Sequence, residues 1–214
     1  MNPLLIRRRG MMQARGGGGI LPQGYTLLTA VYGLTNGARF VIVPSVNNNV
    51  EIEVVAKKGS FTNYSAFFGN YVDENHNSFR LICATNNRTL YANANMRTSS
   101  PNSGTVDTVL NWHTYIVKRA TGGTYLSING VSTVGGTATG ITNLSSIYLN
   151  ASSGNAIPST VETYFSSVIV KSSGTIIRDY YPCIDPNNIV GFYDIVREVF
   201  DTSENPSYPF YAVP

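Results

Sequence analysis

The stretch that decides the fold is Trp112–Gly130, which reads WHTYIVKRATGGTYLSING. Successive side chains from Trp112 to Val117 are expected to point to opposite faces, as in a half-buried β-strand. A Gly122-Gly123 turn separates this run from a second alternating run. The pair Asn129-Gly130 then predicts a type I′ turn, because both residues tolerate positive φ. The segment is therefore predicted to be a β-hairpin closed by a second tight turn, and nothing in it indicates catalysis.

The same alternation recurs along the chain. The segment VEIEVVAK, residues 50–57, divides its side chains between two faces. The apolar face carries Val50, Ile52, Val54 and Ala56. The opposite, mainly polar face carries Glu51, Glu53, Val55 and Lys57. Further strand-like segments follow about every ten to fifteen residues, a spacing typical of a sandwich or barrel: 78–84, 88–94, 105–110, 145–150, 161–171 and 174–181. The segment 189–200, IVGFYDIVREVF, could pass for a helix, but its β-branched and aromatic residues favour an extended chain.

Composition supports one all-β domain. Of the 214 residues, 43% are hydrophobic, so a sizeable core can form, and only 13% are charged, about half the usual share of roughly 25%. The polar surface is instead supplied by 22 Asn, 20 Thr and 20 Ser, beside 20 Gly. These residues favour strands and tight turns. We predict a β-sandwich or barrel over residues 25–214.

Residues 1–24 stand apart as a basic, glycine-rich arm and linker. Four of the eleven arginines lie here, and removing them leaves 11 basic and 12 acidic residues, a charge of −1. The domain is thus not expected to bind nucleic acid. The arm is either a disordered tail or an anchor, and an RNA-binding tail is disfavoured because it lacks interleaved aromatics. As an anchor it would use apolar plugs, Leu4, Leu5 and Ile6, and cationic contacts, Arg7, Arg8, Arg9 and Arg15.

Other sequence features bear on location and redox state. No apolar run approaches the ~18 residues of a membrane span, so no membrane association is expected. The short LLI run precedes the arginines and does not form a signal peptide, so we expect the protein to be made in a cytoplasm and to stay there until it is released. Cys83 and Cys183 could form one bridge, but a pair in a chain of this size favours reduced, buried thiols.

Two segments resemble concanavalin A-like, laminin G-like (pentraxin-like) jelly-roll domains. Trp112–Gly130 resembles their W-H-x-x-x-V…G…L-x-V-N-G hairpin, and Tyr164–Thr202 resembles a G-x-x-x-R-D-x-x-P turn followed by V-G-x-Y-D…F. The second segment is similar to that of laminin G-like domains encoded by gut bacteria and their phages, and the arginine-rich start is similar to short phage-encoded proteins of that group. The resemblance covers roughly Tyr25 to Thr202. It implies that residues 25–214 form an antiparallel two-sheet jelly-roll sandwich, with ligands at a concave face or at rim loops.

Catalytic residues are not indicated, so we expect no enzymatic activity. Glycosidases need two carboxylates across a cleft, and the only candidates on one strand are Glu51 and Glu53. The retaining enzymes of the resembling class usually carry a third acid, where this chain has Val55 and Ala56. Nothing in the sequence indicates a catalytic triad around either histidine, His76 or His113, and His113 is expected to be a half-exposed strand residue.

Binding residues are predicted in one loop region. Asp73, Asn75 and Asn77 follow the one-three-five pattern of a calcium loop, but the glycine and glutamate of an EF-hand are missing. A calcium ion at the rim is therefore a weak candidate cofactor, and a polar turn is the default. Flat tyrosine faces and amides suit sugars, and the predicted glycan-binding residues are Tyr64, Tyr71, Asp73 and Asn75.

The arm and the resemblance together predict a non-enzymatic phage virion protein, such as a capsid decoration, head-fibre or tail-associated protein, that is made in the host bacterial cytoplasm. The arm would dock onto other virion proteins, and the domain, alone or as a homo-oligomer, would contact host or mucosal glycans at the virion surface. The alternatives are a free carbohydrate-binding module of a gut bacterium and, third, a glycoside hydrolase.

Overall fold

The computed structural model describes most of the predicted domain. The described residues are 20–34, 37–44, 49–60, 65–70, 79–83, 90–94, 102–103, 110–120, 123–135, 146–151 and 161–213.

Among these residues the regular structure is antiparallel β-sheet. The strands are β1 Thr26–Leu27, β2 Val31–Gly33, β3 Phe40–Val43, β4 Val50–Lys58, β5 Ala66–Gly69, β6 Phe79–Cys83, β7 Leu90–Ala94, β8 Asn102–Ser103, β9 His113–Ala120, β10 Gly123–Ile128, β11 Val131–Gly135, β12 Ile147–Leu149, β13 Thr163–Ser172, β14 Thr175–Ile184, β15 Val190–Asp194, β16 Val199–Asp201 and β17 Phe210–Ala212. Within the described ranges, no helix has the length and apolar character that a membrane span requires.

The strands form two sheets. In the larger sheet the order is β11-β10-β9-β4-β13-β14-β15-β16, β1 pairs with β14, and β2 pairs with both β13 and β17. In the smaller sheet the order is β3-β12-β5-β6-β7-β8. The two sheets pack face to face, which confirms the predicted two-sheet jelly-roll sandwich.

One hydrophobic core fills the space between the sheets. The larger sheet supplies the alternate residues of β4 and β9, and the smaller sheet supplies phenylalanines such as Phe67 and Phe79. An aromatic cluster of Phe40, Phe192 and Phe210 packs edge to face or tilted, with ring centroids 5.3 to 6.0 Å apart. Such pairs stabilise a core beyond their buried area.

The hairpin predicted from Trp112–Gly130 is present. β9 and β10 pair from Ala120–Gly123 to Tyr115–Ile128, and β11 continues the meander after the second turn. Asn129 and Gly130 have φ of 50° and 87°, so the prediction of a turn with two positive φ angles is confirmed.

Most of the other strand predictions are also confirmed. In β4, Val50, Ile52, Val54 and Ala56 are fully buried. The segment 189–200 is extended, since β15 and β16 form a hairpin there with turn residues 195–198. Of the segment 105–110, only Leu110 is described, and it lies outside the strands.

The cysteines are placed as the sequence predicts. Cys83 and Cys183 are free and buried, as predicted. Tyr25, the first residue assigned to the sandwich, packs edge to face on Tyr193 and Phe200, with ring centroids 5.3 and 5.7 Å away.

Candidate functional site

The residues predicted from sequence to bind ligands lie outside the described residues. This applies to the docking residues of the arm, Leu4, Leu5, Ile6, Arg7, Arg8, Arg9 and Arg15. It also applies to the glycan and calcium candidates, Tyr64, Tyr71, Asp73, Asn75 and Asn77. Both predictions stay predictions.

A different candidate site lies on the outer face of the larger sheet. It consists of five side chains, here called the aromatic row, on the four adjacent strands β17, β2, β13 and β4 and at the residue that precedes β9: Tyr211, Tyr32, Tyr164, Lys57 and Trp112. Strand register aligns its members, because Tyr211 and Tyr164 both pair with Tyr32, and Tyr164 pairs with Lys57. On the other side of Lys57, Ala56 pairs with His113, so Trp112 lies opposite Lys57.

The side chains of the aromatic row contact one another continuously. Tyr32 stacks on Tyr211 and on Tyr164, with ring centroids 5.4 and 5.2 Å apart. The Lys57 ammonium group lies 4.8 Å from the Tyr164 ring centroid and 5.6 Å from that of Trp112. These are cation–π distances, so Lys57 joins the tyrosines to the tryptophan.

The row faces solvent because the neighbours of its members face the core. Val31 and Gly33 are buried on either side of Tyr32, and Phe210 is buried next to Tyr211. Successive strand residues point to opposite faces, so the tyrosines point outward. Tyr211 is 37% exposed, and the other four members are half-buried.

The Glu162 carboxylate lies beside the aromatic row and accepts a hydrogen bond from one of its tyrosines. The Tyr164 hydroxyl donates a hydrogen bond of 2.7 Å to Oε2 of Glu162. This bond, with smaller effects of burial and charge, raises the pKa of Tyr164 to about 12, so the phenol keeps its proton at neutral pH. The backbone N–H of Gly59 donates to the carbonyl oxygen of Glu162 at 2.9 Å, which positions this residue beside the row.

His113 lies on β9 next to Trp112 and is half-buried, as predicted. The side-chain amide of Asn129 donates to its Nδ1, and the Asn129 Oδ1 accepts from the Thr114 N–H at 3.0 Å. Asn129, in the turn that follows β10, therefore orients the imidazole of His113 on the neighbouring strand β9. No nucleophilic side chain is among these contacts of His113.

The carboxylates considered for glycosidase chemistry lie elsewhere on the same face. Glu51 and Glu53 both point outward from β4, as predicted, and Glu51 forms an ion pair of 2.6 Å with Lys171. Glu51 lies six residues from Lys57, or about 20 Å along an extended strand. It is therefore not part of the aromatic row.

The segment Tyr164–Thr202, which resembles laminin G-like domains, contains a buried and fully paired carboxylate, that of Asp194. The Asp194 carboxylate is fully buried and accepts hydrogen bonds from the backbone N–H groups of Asp179 and Val196, both at 3.0 Å. It also accepts a charged bond of 2.6 Å from Arg197 and lies 3.6 Å from Arg178. Buried charges are retained where they are paired and hydrogen-bonded in this way.

This buried pair extends to the smaller sheet. Nη2 of Arg197 donates to the Tyr180 hydroxyl at 3.0 Å, and that hydroxyl donates to the Ile42 carbonyl oxygen at 3.2 Å. The arrangement therefore ties β15 to β14 and to β3, and it stabilises the fold.

The thiols and the buried lysine do not form a reactive site. Burial raises the pKa of Cys183 to about 12 and also raises that of Cys83, so both remain protonated and unreactive at neutral pH. Lys58 is only 1% exposed. Among the described residues, no group of three or more His, Cys, Asp or Glu side chains is arranged to hold a metal ion.

The two packed antiparallel sheets have the jelly-roll fold of laminin G-like and concanavalin A-like domains. Domains LG4-5 of the mouse laminin alpha1 chain share this fold, with a TM-score of 0.50 and 10% identity over 70% of this chain and 44% of that chain. This chain therefore spans less than half the length of that laminin structure.

Two further solved structures are similar at lower scores. A Trypanosoma rangeli sialidase in complex with sialic acid has a TM-score of 0.48 and 10% identity over 72% of this chain and 27% of that chain. Domain 4 of a GH43 extracellular arabinanase from Geobacillus stearothermophilus, in complex with arabinotriose, has a TM-score of 0.40 and 15% identity over 62% of this chain and 68% of that chain. No protein-family model matches the sequence, and no curated protein matches it.

Proposed function

We propose that this chain is a non-enzymatic carbohydrate-binding jelly-roll domain whose ligand lies on the aromatic row. The observation that carries the proposal is the row itself: three tyrosines and a lysine aligned across four strands on the outer face of a sheet, with a tryptophan directly before the fifth strand. Aligned aromatic pairs stabilise a sheet, but the row also leaves aromatic area and polar groups in contact with water. Such a partly exposed, amphipathic surface favours a ligand.

The chemistry of the row fits a sugar. A sugar ring has apolar C–H groups and many hydroxyls, so it is best matched by aromatic carbon beside donors and acceptors. The row offers phenol hydroxyls, the Lys57 ammonium as a donor and the Glu162 carboxylate as an acceptor. Covering the exposed ring carbon would recover about 25 cal/mol per Å² of apolar surface.

The absence of enzymatic activity is part of the proposal. Its support is that Glu51, one of the two candidate carboxylates, is paired with Lys171. Neither Glu51 nor Glu53 faces the aromatic row across a cleft. A hydrolase would need two carboxylates about 5 to 9.5 Å apart around the bound sugar.

A glycan array tests the carbohydrate proposal. The wild-type chain should bind a subset of glycans, Tyr164→Ser should lose this signal, and Tyr125→Ser should keep it. Tyr125 is the matched control because it is a half-buried tyrosine on the same sheet, opposite Lys118 at the Glu51 end of the strands. A blank array at high protein concentration would contradict the proposal, as would equal signal from all three chains.

The same array tests the loop predicted from sequence. If Tyr71→Ala or Asp73→Ala abolishes binding while Tyr164→Ser retains it, the site is the loop and the aromatic row is a stabilising feature. Unfolding curves of each variant establish that the loss does not result from misfolding.

We further propose that the domain is displayed on a phage particle through residues 1–24. The support is the sequence of the arm, which combines an apolar cluster, four arginines and a glycine linker. Arginine pairs readily with carboxylates on a partner protein. Purified particles of the encoding phage should contain the chain, and deleting residues 1–19 should abolish incorporation while glycan binding persists. Particles that lack the full-length chain would exclude this role.

A further inference from the structure

We infer that the aromatic row binds an extended β-1,4-linked glycan chain that runs across the strands, with one sugar ring over each member of the row. This inference rests on the proposed carbohydrate function, and it adds the class and orientation of the ligand. It depends on the spacing of the row, on the groups that the row presents to solvent, and on its length.

The first step is spacing. The three tyrosine rings follow one another at 5.2 and 5.4 Å, close to the strand separation of about 4.8 Å. One pyranose ring adds a similar length to an extended β-1,4-linked chain. A periodic row of side chains can therefore meet a periodic polymer in register, whereas a branched or helical glycan would leave the row after one or two contacts.

The second step is what the row presents. The tyrosine rings are nearly parallel, with interplanar angles of 25° and 27°, so the face of each ring packs against the neighbouring ring. Side chains stand roughly perpendicular to a sheet. The ring edges and phenol hydroxyls of Tyr32 and Tyr211 are therefore directed toward the ligand, and a repeating pattern of hydroxyls is what a linear glycan also carries.

The third step is the middle of the row. Because the Tyr164 hydroxyl donates to Glu162, its oxygen is available as an acceptor for a sugar hydroxyl. Lys57, held over the Tyr164 and Trp112 rings, supplies donors one strand further along. The row thus presents an acceptor at Tyr164 and donors at Lys57 on the adjacent strand, which suits sugar hydroxyls, since each of these both donates and accepts.

The fourth step is length. Four members on four adjacent strands, with Trp112 directly before the fifth strand β9, span four strand separations, or about 19 Å. The row therefore accommodates four to five sugar units. Affinity should increase with each unit until the row is filled and then level off.

Calorimetric titration with defined oligosaccharides tests this inference. The probes are β-1,4-linked oligomers of glucose and of N-acetylglucosamine, from two to six units, with α-1,4-linked glucose oligomers as the matched helical control. We expect affinity to rise severalfold per unit up to four or five units, to change less than about 2-fold with the sixth, and to be at least about 10-fold weaker for the α-linked series.

Two conservative variants examine the role of the hydroxyls. Tyr32→Phe and Tyr211→Phe retain the stacked rings, and each should weaken binding of the pentasaccharide about 2- to 10-fold, the effect of one neutral hydrogen bond. Tyr125→Phe, on the same sheet at the other end of the strands, should leave it unchanged. Equal affinities for Tyr32→Phe, Tyr211→Phe and the wild type would overturn the inference.

The outcomes separate this inference from the proposed function. A positive glycan array with no binding of either β-1,4 series, or with a disaccharide as tight as a pentasaccharide, overturns the inference and leaves a carbohydrate-binding domain. Equal binding of α- and β-linked series also overturns it. A blank array together with no calorimetric signal overturns both.

Discussion

Replacing Lys58 by methionine should remove a pH-dependent penalty on folding. Lys58 is buried in the core, where its Nζ donates to the Ala66 carbonyl oxygen at 2.6 Å and to Thr163 Oγ1 at 2.7 Å. It also lies 4.4 Å from the Phe67 ring centroid. Burial lowers the pKa of Lys58 from 10.5 to about 7, because an apolar interior disfavours the ammonium form.

The sign and size of the effect follow from linkage. Between pH 7 and 10.5 the unfolded chain holds a proton on Lys58 that the folded chain has lost, so stability rises with pH. The pKa difference corresponds to a penalty of about 5 kcal/mol that is fully present below pH 7. Between pH 7 and 9 the free energy of unfolding should rise by about 2 kcal/mol.

The thiols of Cys83 and Cys183 set the upper end of the useful pH range. Burial raises the pKa of Cys183 to about 12 and raises that of Cys83 above its ordinary 9.0. Above pH 9 the unfolded chain would therefore lose these protons first, and stability would fall. Because a thiol with a pKa of 9.0 is half ionised at pH 9 and both chains carry the thiols, the difference between wild type and Lys58→Met isolates the Lys58 effect.

Urea unfolding at pH 7, 8 and 9 provides the assay. The difference in unfolding free energy between wild type and Lys58→Met should change by about 2 kcal/mol over this range. Lys57→Met is the matched control, since it removes the adjacent, half-exposed lysine on the opposite face of β4 and should retain the wild-type slope. Parallel pH profiles for wild type and Lys58→Met would refute the reasoning.

Other substitutions test the fold. Asp194→Asn should reduce the free energy of unfolding by about 3–5 kcal/mol, because it disrupts the buried pair with Arg197. Glu51→Gln removes a half-exposed pair with Lys171 and should change the free energy of unfolding by less than about 1 kcal/mol. Urea unfolding of both variants measures the two changes. Gly191→Ala would place a Cβ 2.4 Å from the backbone oxygen of Asp201 and should lower the thermal midpoint by several degrees, as it forces β15 and β16 apart. Gly130→Ala, with φ of +87° but open space around it, should cost only about 1 kcal/mol; similar effects of the two glycine variants would contradict this account.

The fold was predictable where its signals are local. Alternation over residues 50–57 identified the buried face of β4, and Asn129-Gly130 identified a turn by its tolerance of positive φ. The order of strands was not predictable from the residues themselves. β4 and β13 are neighbours although Glu51 and Lys171 are 120 positions apart, and no short-range pattern specifies such pairs.

The aromatic row was missed for the same reason. Each tyrosine lies beside buried residues, as in Val31-Tyr32-Gly33, a pattern that indicates an outward side chain on one strand. Their alignment depends on the pairing of β17, β2, β13 and β4. The buried Lys58 was missed for a different reason: alternation places it inward, but lysine is rarely buried without partners, and its partners come from β5 and β13.

The most direct test of glycan binding at the aromatic row is the fluorescence of Trp112, the single tryptophan of the chain. Because Trp112 is a member of the row, titration with a β-1,4-linked glucose pentasaccharide should shift its emission. The midpoint should equal the dissociation constant measured by calorimetry, and Tyr125→Ser should respond in the same way. Calorimetric binding of this pentasaccharide with unchanged Trp112 emission would place the sugar elsewhere and contradict the account.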